Sequence, residues 1–355
     1  MRIIVGLSGG VDSAVAALLL KRAGHEVIGV TMAIWREGRY RGGERDACFG
    51  PGEAADIAVA KEFASSIGID YHIFDCSAEY ESSVLEYFRN ERMSGRTPNP
   101  CVVCNRRMKF GLLPKKAAEK ISYDYFATGH YARLTRLGNR VAIARATDTA
   151  KDQSYFLWDL SQEQIAHAMF PLGTLSKAEV RRIAQEADLP MAAKPDSQDF
   201  YSGNVDELVG LEDLDGDIVS LDGKVLGRHH GHWHYTVGQR QGLGLGGGTP
   251  YYVIRIDPCH NVIVVGTRDE TICCEFLIKD INWQAIEPVN GGITGFAKVR
   301  SCGQPSVPVT IRCKDGIFDS AVVYAENGLF GVTPGQSAVI YSSDGAILCG
   351  GIITQ

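Results

Sequence analysis

Apolar residues fall along the first half of the chain in two alternating rhythms. Short, nearly continuous apolar runs at 3–6, 27–32, 71–74 and 125–128 have the length and character of strands buried on both faces. Between and around them, apolar positions spaced by three and four predict helices over 12–23, 53–67, 80–93 and 108–120. Strands alternating with helices predict a parallel sheet covered on both faces, and right-handed crossovers make it a doubly wound α/β layout. From about residue 203 the rhythm changes. Asp215-Gly216, Asp222-Gly223, Asn290-Gly291, Asp315-Gly316 and Asn327-Gly328 punctuate short β-rich runs at 251–256, 262–265, 321–324 and 337–341. That half reads as an all-β, barrel-like region, and the glycine run at 242–248 as a mobile loop.

Composition narrows the class. Hydrophobic residues make up 45% and charged residues 22%, enough for an ordinary core. The longest apolar runs are far too short to span a bilayer, so no membrane partner is expected. No signal-peptide pattern precedes the first strand, and a cytoplasmic place is expected. The ten cysteines should then be mostly reduced packing residues. One pair, Cys101 and Cys104, has C-x-x-C spacing. The net charge of −6 argues weakly against nucleic acid. Yet 89–120 gathers Arg89, Arg92, Arg96, Arg106, Arg107, Lys109, Lys115, Lys116 and Lys120 against Glu91 and Glu119, which is either a solvated helix face or a contact surface.

The sharpest chemical signal is Gly6-Leu7-Ser8-Gly9-Gly10-Val11-Asp12-Ser13, set between the first strand and the first helix. Adjacent glycines let backbone approach a ligand closely, and the helix start offers free N–H groups and a positive dipole end to a phosphate. Ser8 and Ser13 can add hydroxyl donors, and Asp12 can hold Mg²⁺. The loop is neither G-x-x-x-x-G-K-[ST] nor G-x-G-x-x-G. It resembles the pyrophosphatase loop of the ATP-pyrophosphatase superfamily, whose members split ATP between the α and β phosphates and pass AMP to a substrate oxygen.

Further blocks resemble the tRNA-specific 2-thiouridylases. They are Thr97-Pro-Asn-Pro-Cys101-Val-Val-Cys104-Asn-Arg-Arg-Met-Lys109-Phe-Gly111, Ala127-Thr-Gly129-His130-Tyr131-Ala132, Lys151-Asp152-Gln153-Ser154-Tyr155-Phe156-Leu157, Phe170-Pro-Leu-Gly173 with Lys177-x-Glu179-Val180-Arg181, Lys194-x-Asp196-Ser197-Gln198, and 227–244. The resemblance implies a catalytic domain of the ATP-pyrophosphatase type over 1–203, a small central β-rich domain over 204–270 and a C-terminal β-barrel over 271–355. It implies ATP held at 6–13, with Met32 and Gly129 lining the adenosine site. It implies tRNA contacts at His130, Lys151, Asp152 and Gln153, and from the barrel at Gln336 and Arg300. The family's Arg-Tyr pair stands here as Arg300-Ser301, which leaves that last contact half supported.

The implied reaction is adenylation of the wobble uridine's 2-oxygen followed by attack of sulfur. Thiolate is the reactive form, and Arg106, Arg107 and Lys109 are expected to favour it at Cys101 and Cys104. This chain departs from the family pattern at one point: Tyr201 stands where a second sulfur-carrying cysteine is expected, while Cys101 is gained beside Cys104. Three readings stay open. Cys101 and Cys104 share the persulfide and resolving roles. Alternatively they join a third thiol, Cys48 first and Cys76 next, in a [4Fe–4S] cluster that carries sulfide. Or thiolation is lost and only tRNA binding remains. A sulfur-donor protein or sulfide source is an implied partner. A synthetase of the same superfamily acting on a small molecule is the remaining enzyme class. His229, His230, His232 and His234 suggest a metal if the segment is a strand, since 230, 232 and 234 would share a face. Cys273, Cys274, Cys302, Cys313 and Cys349 read as packing residues.

Overall fold

A computed structural model describes residues 1–43, 47–196, 199–246, 248, 250–301, 306–314 and 316–354. Ser197, Gln198, Cys302 and part of the glycine run lie outside the described residues. The chain divides into two compact units, one of residues 1–84, 100–205 and 345–347, the other of 85–99, 206–344 and 348–355.

The first unit begins with β1 (Arg2–Gly6), α1 (Val11–Arg22), β2 (Glu26–Ala33), β3 (Ala47–Phe49), α2 (Glu53–Ser66), β4 (Asp70–Asp75) and α3 (Ser77–Tyr80). Helix α4 (Glu86–Met93) belongs to the second unit. The first unit resumes at α5 (Pro100–Val103), which runs without a break into a π-helical segment, Cys104–Leu112, and then α6 (Leu113–Ala118). Next come β5 (Tyr125–Ala127), the hairpin β6 (Ala132–Leu137) and β7 (Arg140–Arg145), α7 (Gln162–Ala166), β8 (Ala168–Met169), α8 (Lys177–Glu186) and β9 (Asp199–Tyr201).

Five strands form an all-parallel sheet in the order β4-β2-β1-β5-β8. Ile3, Ile4 and Val5 of β1 are completely buried, the expected state of a central parallel strand. The chain winds outward from β1 through β2 to β4, then returns to β5 on the other side. The crevice at the carboxyl ends of β1 and β5 is therefore a topological switch point, where ligands bind in open α/β sheets. The helix expected over 108–120 starts earlier, at Pro100. Proline suits a first helical position, because its fixed φ is pre-organised and its missing N–H is not needed there.

In the second unit, β10 (Gly216–Ser220), β11 (Val225–His229), β12 (Tyr252–Asp257) and β13 (Val262–Gly266) form a mixed sheet ordered β11-β10-β13-β12. Ile218, Val253, Ile263 and Val265 fill its core. The strands β14 (Ile272–Trp283), β15 (Gly291–Lys298), β16 (Val307–Lys314), β17 (Ile317–Phe330), β18 (Ser337–Tyr341) and β19 (Ile347–Ile353) close a barrel in the order β14-β17-β16-β15-β18-β19. Ala321, Val323 and Ala325 of β17 turn inward, alternating with Val322 and Tyr324 as the period of two requires. The doubly wound α/β fold and the C-terminal barrel expected above are both present. No helix among the described residues is long and apolar enough to cross a membrane.

Candidate active site

The loop from Leu7 to Gly10 leaves the carboxyl end of β1 and opens α1. The Ser8 N–H donates to Ser13 Oγ at 3.2 Å, and Ser13 Oγ donates to the Gly10 carbonyl at 3.0 Å, so the turn is closed by its own serines. Gly10 is the N-cap and brings no side chain to cap the helix, which leaves the first amides of α1 facing outward for an anion. Gly9 has φ +70°, and a Cβ there would lie 2.5 Å from the Asp56 carbonyl oxygen, so only glycine fits. A Cβ on Gly129, just past β5, would lie 2.6 Å from the Ser13 nitrogen and 2.7 Å from the Asp12 carbonyl carbon. The β5 end therefore presses directly on the first turn of α1. Met32 is half-buried near the end of β2, the strand beside β1.

Asp12 is already engaged. Lys177 Nζ, at the start of α8, donates to both its carboxylate oxygens at 2.8 Å, and Tyr131 Oη donates to Oδ1 at 2.8 Å. Burial and the Asp12 charge raise the Tyr131 pKa, keeping it a donor. Lys177 also pairs with Asp196 at 2.7 Å, which in turn holds Lys151 at 2.8 Å and Arg181 at 3.2 Å. Asp196 is pushed up by burial but held below the usual carboxylate range by Lys151 and Lys177. Sequence reasoning missed Lys177 and Tyr131 as partners of Asp12. A signal existed: a lysine at the first position of a helix faces the positive end of the dipole and needs a carboxylate.

The thiols lie in the same unit. Cys101 and Cys104 sit where α5 becomes π-helical. Five residues span about 140° on an α-helix, whereas π-helical bonds run from i to i+5 and bring Lys109 round toward the Cys104 face. Burial pushes the Cys101 thiol up to about 12 and the Cys104 thiol up to about 11, with Lys109 pulling both back down. Lys109 is disfavoured as a cation by burial, but Cys48, Cys104 and Cys101 together hold its pKa up. The expectation that Arg106 and Arg107 activate these thiols is not met. Arg106 donates to Gln164 Oε1 at 2.8 Å, Arg107 is exposed, and Lys109 is the cation that both thiols feel.

His130 links the thiols to the loop. It follows Gly129, shares a 2.8 Å hydrogen bond between its Nδ1 and Thr128 Oγ1, and lies with its ring centroid 5.9 Å from Phe110 and 6.3 Å from Phe170. Burial and Lys109 lower its pKa to about 3, so the imidazole is neutral. Of two adjacent residues in one short segment, Gly129 thus lies against the phosphate-type turn and His130 feels the charge of Lys109.

Cys48, on β3, is exposed and lies within electrostatic range of Cys101, Cys104 and Lys109. Cys76 is completely buried near Cys104. Among the described residues no group of three or more His, Cys, Asp or Glu side chains is arranged to hold a metal ion. Cys48, Cys101 and Cys104 feel one another electrostatically but are not arranged as a ligand set. Tyr201, on β9, is buried, accepts the Gly42 N–H at 3.2 Å and packs on Phe49 and Tyr40.

The expected tRNA contacts are dispersed. Lys151 is exposed. Asp152 turns inward, accepting from Ala146 N, Ser154 N and Ser154 Oγ, and Gln153 Oε1 accepts from Tyr131 N at 2.9 Å. In the second unit, Arg300 donates to the Val237 and Gly331 carbonyls, and Gln336 Nε2 donates to the Pro98 carbonyl at 3.1 Å. The histidines also differ from expectation. Residues 232–234 form a 3₁₀ turn rather than a strand; His229 and His232 both bond to Asn261, His232 also to the Met93 carbonyl, while His230 bonds to Asp215 and His234 to Asp206.

Comparison with known proteins places the chain. Residues 1–201, more than half its length, match the family model described as a tRNA methyl transferase HUP domain. Residues 208–267 match a tRNA methyl transferase PRC-barrel domain, and 274–353 an aminomethyltransferase beta-barrel domain. A tRNA-specific 2-thiouridylase MnmA of Endomicrobium trichonymphae is 43% identical over 99% of this chain and 99% of the relative. The protein of that name from Lachnoclostridium phytofermentans is 40% identical over 100% and 99%, and that from Brucella melitensis 40% identical over 98% and 88%. With a matching family model and relatives this similar along their whole length, the chain belongs to the tRNA-specific 2-thiouridylase family.

Proposed function

We propose that the chain is a tRNA-uridine 2-sulfurtransferase that uses ATP to activate the wobble uridine and delivers sulfur at Cys101 and Cys104. One observation carries this reading: within one unit, Gly129 lies against the turn that opens α1, while its neighbour His130 packs near Phe110 and feels the charge of Lys109, the cation that also acts on the thiols. An activated base held at the switch point is then within reach of both. In the reaction, the uridine 2-oxygen attacks the α-phosphate and pyrophosphate leaves. The amides of α1 would stabilise the departing charge. The base must leave its stack to enter such a site. Sulfur then attacks C2 and AMP departs with the former 2-oxygen.

Lys109 favours the thiolate needed at Cys104. Neutral His130 can donate or accept one hydrogen bond to the base. Exposed Lys151 is the best-placed tRNA contact of its block, with Asp152 and Gln153 shaping the turn. Gln336 and Arg300 would act from the barrel, in a division of labour among 1–203, 204–270 and 271–355. Magnesium belongs with ATP, but Asp12 does not fit as its ligand while Lys177 holds both oxygens. The thiols as placed do not fit a [4Fe–4S] cluster. Substrate tRNA implies a cytoplasmic place.

The family models speak of methyl transfer, yet methylation requires no cleavage of ATP at the α-phosphate, and the loop is built for phosphates. Incubation with ATP, a persulfide donor and unmodified tRNA should yield 2-thiouridine, lost in Cys101→Ser or Cys104→Ser. A methylated nucleoside, or no modified nucleoside, would overturn the proposal. Pyrophosphate release without tRNA and indifferent to both cysteines would indicate a small-molecule synthetase instead. Tight tRNA binding without pyrophosphate release would indicate a binding protein.

A further inference from the structure

Strand β3 is only three residues long, and its two faces differ. Its partner is β9, with Ala47 beside Asp199 and Phe49 beside Tyr201. Phe49 turns inward, 2% exposed, into a cluster of rings: Trp35 at 4.9 Å, Tyr40 at 5.7 Å, Tyr201 at 5.7 Å, and Tyr80 stacked at 5.2 Å. Successive residues of a strand point to opposite faces, so Cys48 faces away from this cluster and is exposed. The rings hold the strand in place. Tyr80 belongs to α3, and α3 packs on the π-helical segment that begins with Cys104. Cys48 on β3 is therefore fixed, through Phe49 and Tyr80, to the continuous helical run in which α5 carries Cys101 and the π-helical segment carries Cys104. The three thiols share one cation, Lys109.

We propose that Cys48 is the loading cysteine, which takes sulfur from an external persulfide, and that the enclosed helix pair, Cys101 and Cys104, resolves it. The inference rests on the sulfur site proposed above and adds a third thiol with a distinct task. Exposure assigns the tasks. A macromolecular donor must reach the first acceptor, and Cys48 is the exposed member of the three, whereas Cys101 and Cys104 are half-buried. Cys76 is 0% exposed and cannot be loaded from outside.

The steps balance. The Cys48 thiolate attacks the sulfane sulfur of the donor persulfide; the donor leaves as a thiolate and Cys48 becomes a persulfide. Its terminal sulfur attacks C2 of the adenylated uridine, and AMP leaves. A thiolate of the helix pair then attacks Cys48 Sγ. The sulfur–sulfur bond breaks, its electron pair stays on the sulfur now bound to C2, and a disulfide joins Cys48 to the pair. An external dithiol reduces that disulfide and restores the three thiols.

The full-length protein would be treated anaerobically with glutathione persulfide, digested and analysed by mass spectrometry. The Cys48 peptide should gain one sulfur atom. After a single turnover with ATP and tRNA but no reductant, a disulfide should join Cys48 to Cys101 or Cys104. Cys48→Ser, unfolding at the wild-type temperature, should make 2-thiouridine roughly a hundredfold or more slowly. Persulfide carried by Cys101 or Cys104 in Cys48→Ser, with 2-thiouridine formed at the wild-type rate, would overturn the inference. If Cys101→Ser and Cys104→Ser lose activity in that case, only the role of Cys48 fails. If they too keep it, the sulfur site as a whole fails.

Discussion

Lys177 Nζ stands 2.8 Å from each carboxylate oxygen of Asp12, so the first residue of α8 neutralises the first turn of α1. Each residue answers a demand of its own helix. Asp12 suits the positive end of α1, whereas Lys177 opposes the dipole of α8 and needs a carboxylate nearby. The same ammonium reaches Asp196 at 2.7 Å, tying the phosphate-type loop to the segment that leads into β9.

Replacing Lys177 with Met should therefore destabilise the first unit by about 2 kcal/mol, less than for a fully buried pair because Asp12 and Asp196 keep contact with solvent. Urea denaturation of Lys177→Met, Asp12→Asn and the double variant would measure it. The double variant should lose less than the sum of the single losses. Additive losses would mean that the pair is not coupled.

Gly129→Ala should abolish ATP binding while the protein stays folded. The added methyl would meet backbone of Ser13 and Asp12, and backbone cannot move aside as a flexible side chain can. Calorimetric titration with ATP checks it, and unchanged affinity would remove Gly129 from the site.

His130 supplies a pH prediction with a definite sign. Its folded pKa, about 3, lies below the ordinary 6.5 through burial first and Lys109 second. The unfolded chain takes up this proton below about pH 6.5 and the folded chain does not. The stability associated with His130 is thus complete above 6.5 and falls as pH drops toward 3. Guanidinium midpoints across this range should flatten in His130→Gln. In Lys109→Met the imidazole, followed by NMR, should titrate at higher pH.

The thiols shift in the opposite sense. Cys101 and Cys104 ionise near 12 and 11, chiefly because burial disfavours the thiolate. The unfolded state loses these protons first, so stability should decline as pH rises above about 9. Alkylation of both cysteines by iodoacetamide should accelerate about tenfold per pH unit between 8 and 10. Lys109→Met should slow it further at Cys104.

The sequence made some of these features legible and hid others. The Ser8–Ser13 loop was readable because its glycines stand between a continuous apolar run and a helical pattern, and β1 and α1 fall where that pattern places them. The barrel was readable in part from its turn dipeptides, but Asn327-Gly328 falls inside β17 at an irregularity in its pairing with β14 and does not end a strand. The pair β3 and β9 was not: three residues show no period, and their pairing is long-range, so nothing local brings Cys48 to the thiols. The π-helical turn carrying Cys104 and Lys109 was hidden as well, since apolar spacing predicts an α-helix. Arg106 and Arg107 misled because adjacency in sequence was taken as adjacency to sulfur, whereas a helix turns adjacent residues apart.

The most direct test of the account follows one oxygen atom. Unmodified tRNA carrying ¹⁸O at the 2-position of the wobble uridine would be incubated with the protein, ATP and a persulfide donor, and the nucleotide products analysed by mass spectrometry. Attack of that oxygen on the α-phosphate requires the label to appear in AMP, one atom for each 2-thiouridine formed. Unlabelled AMP, or label in inorganic phosphate with ADP as co-product, would contradict the account.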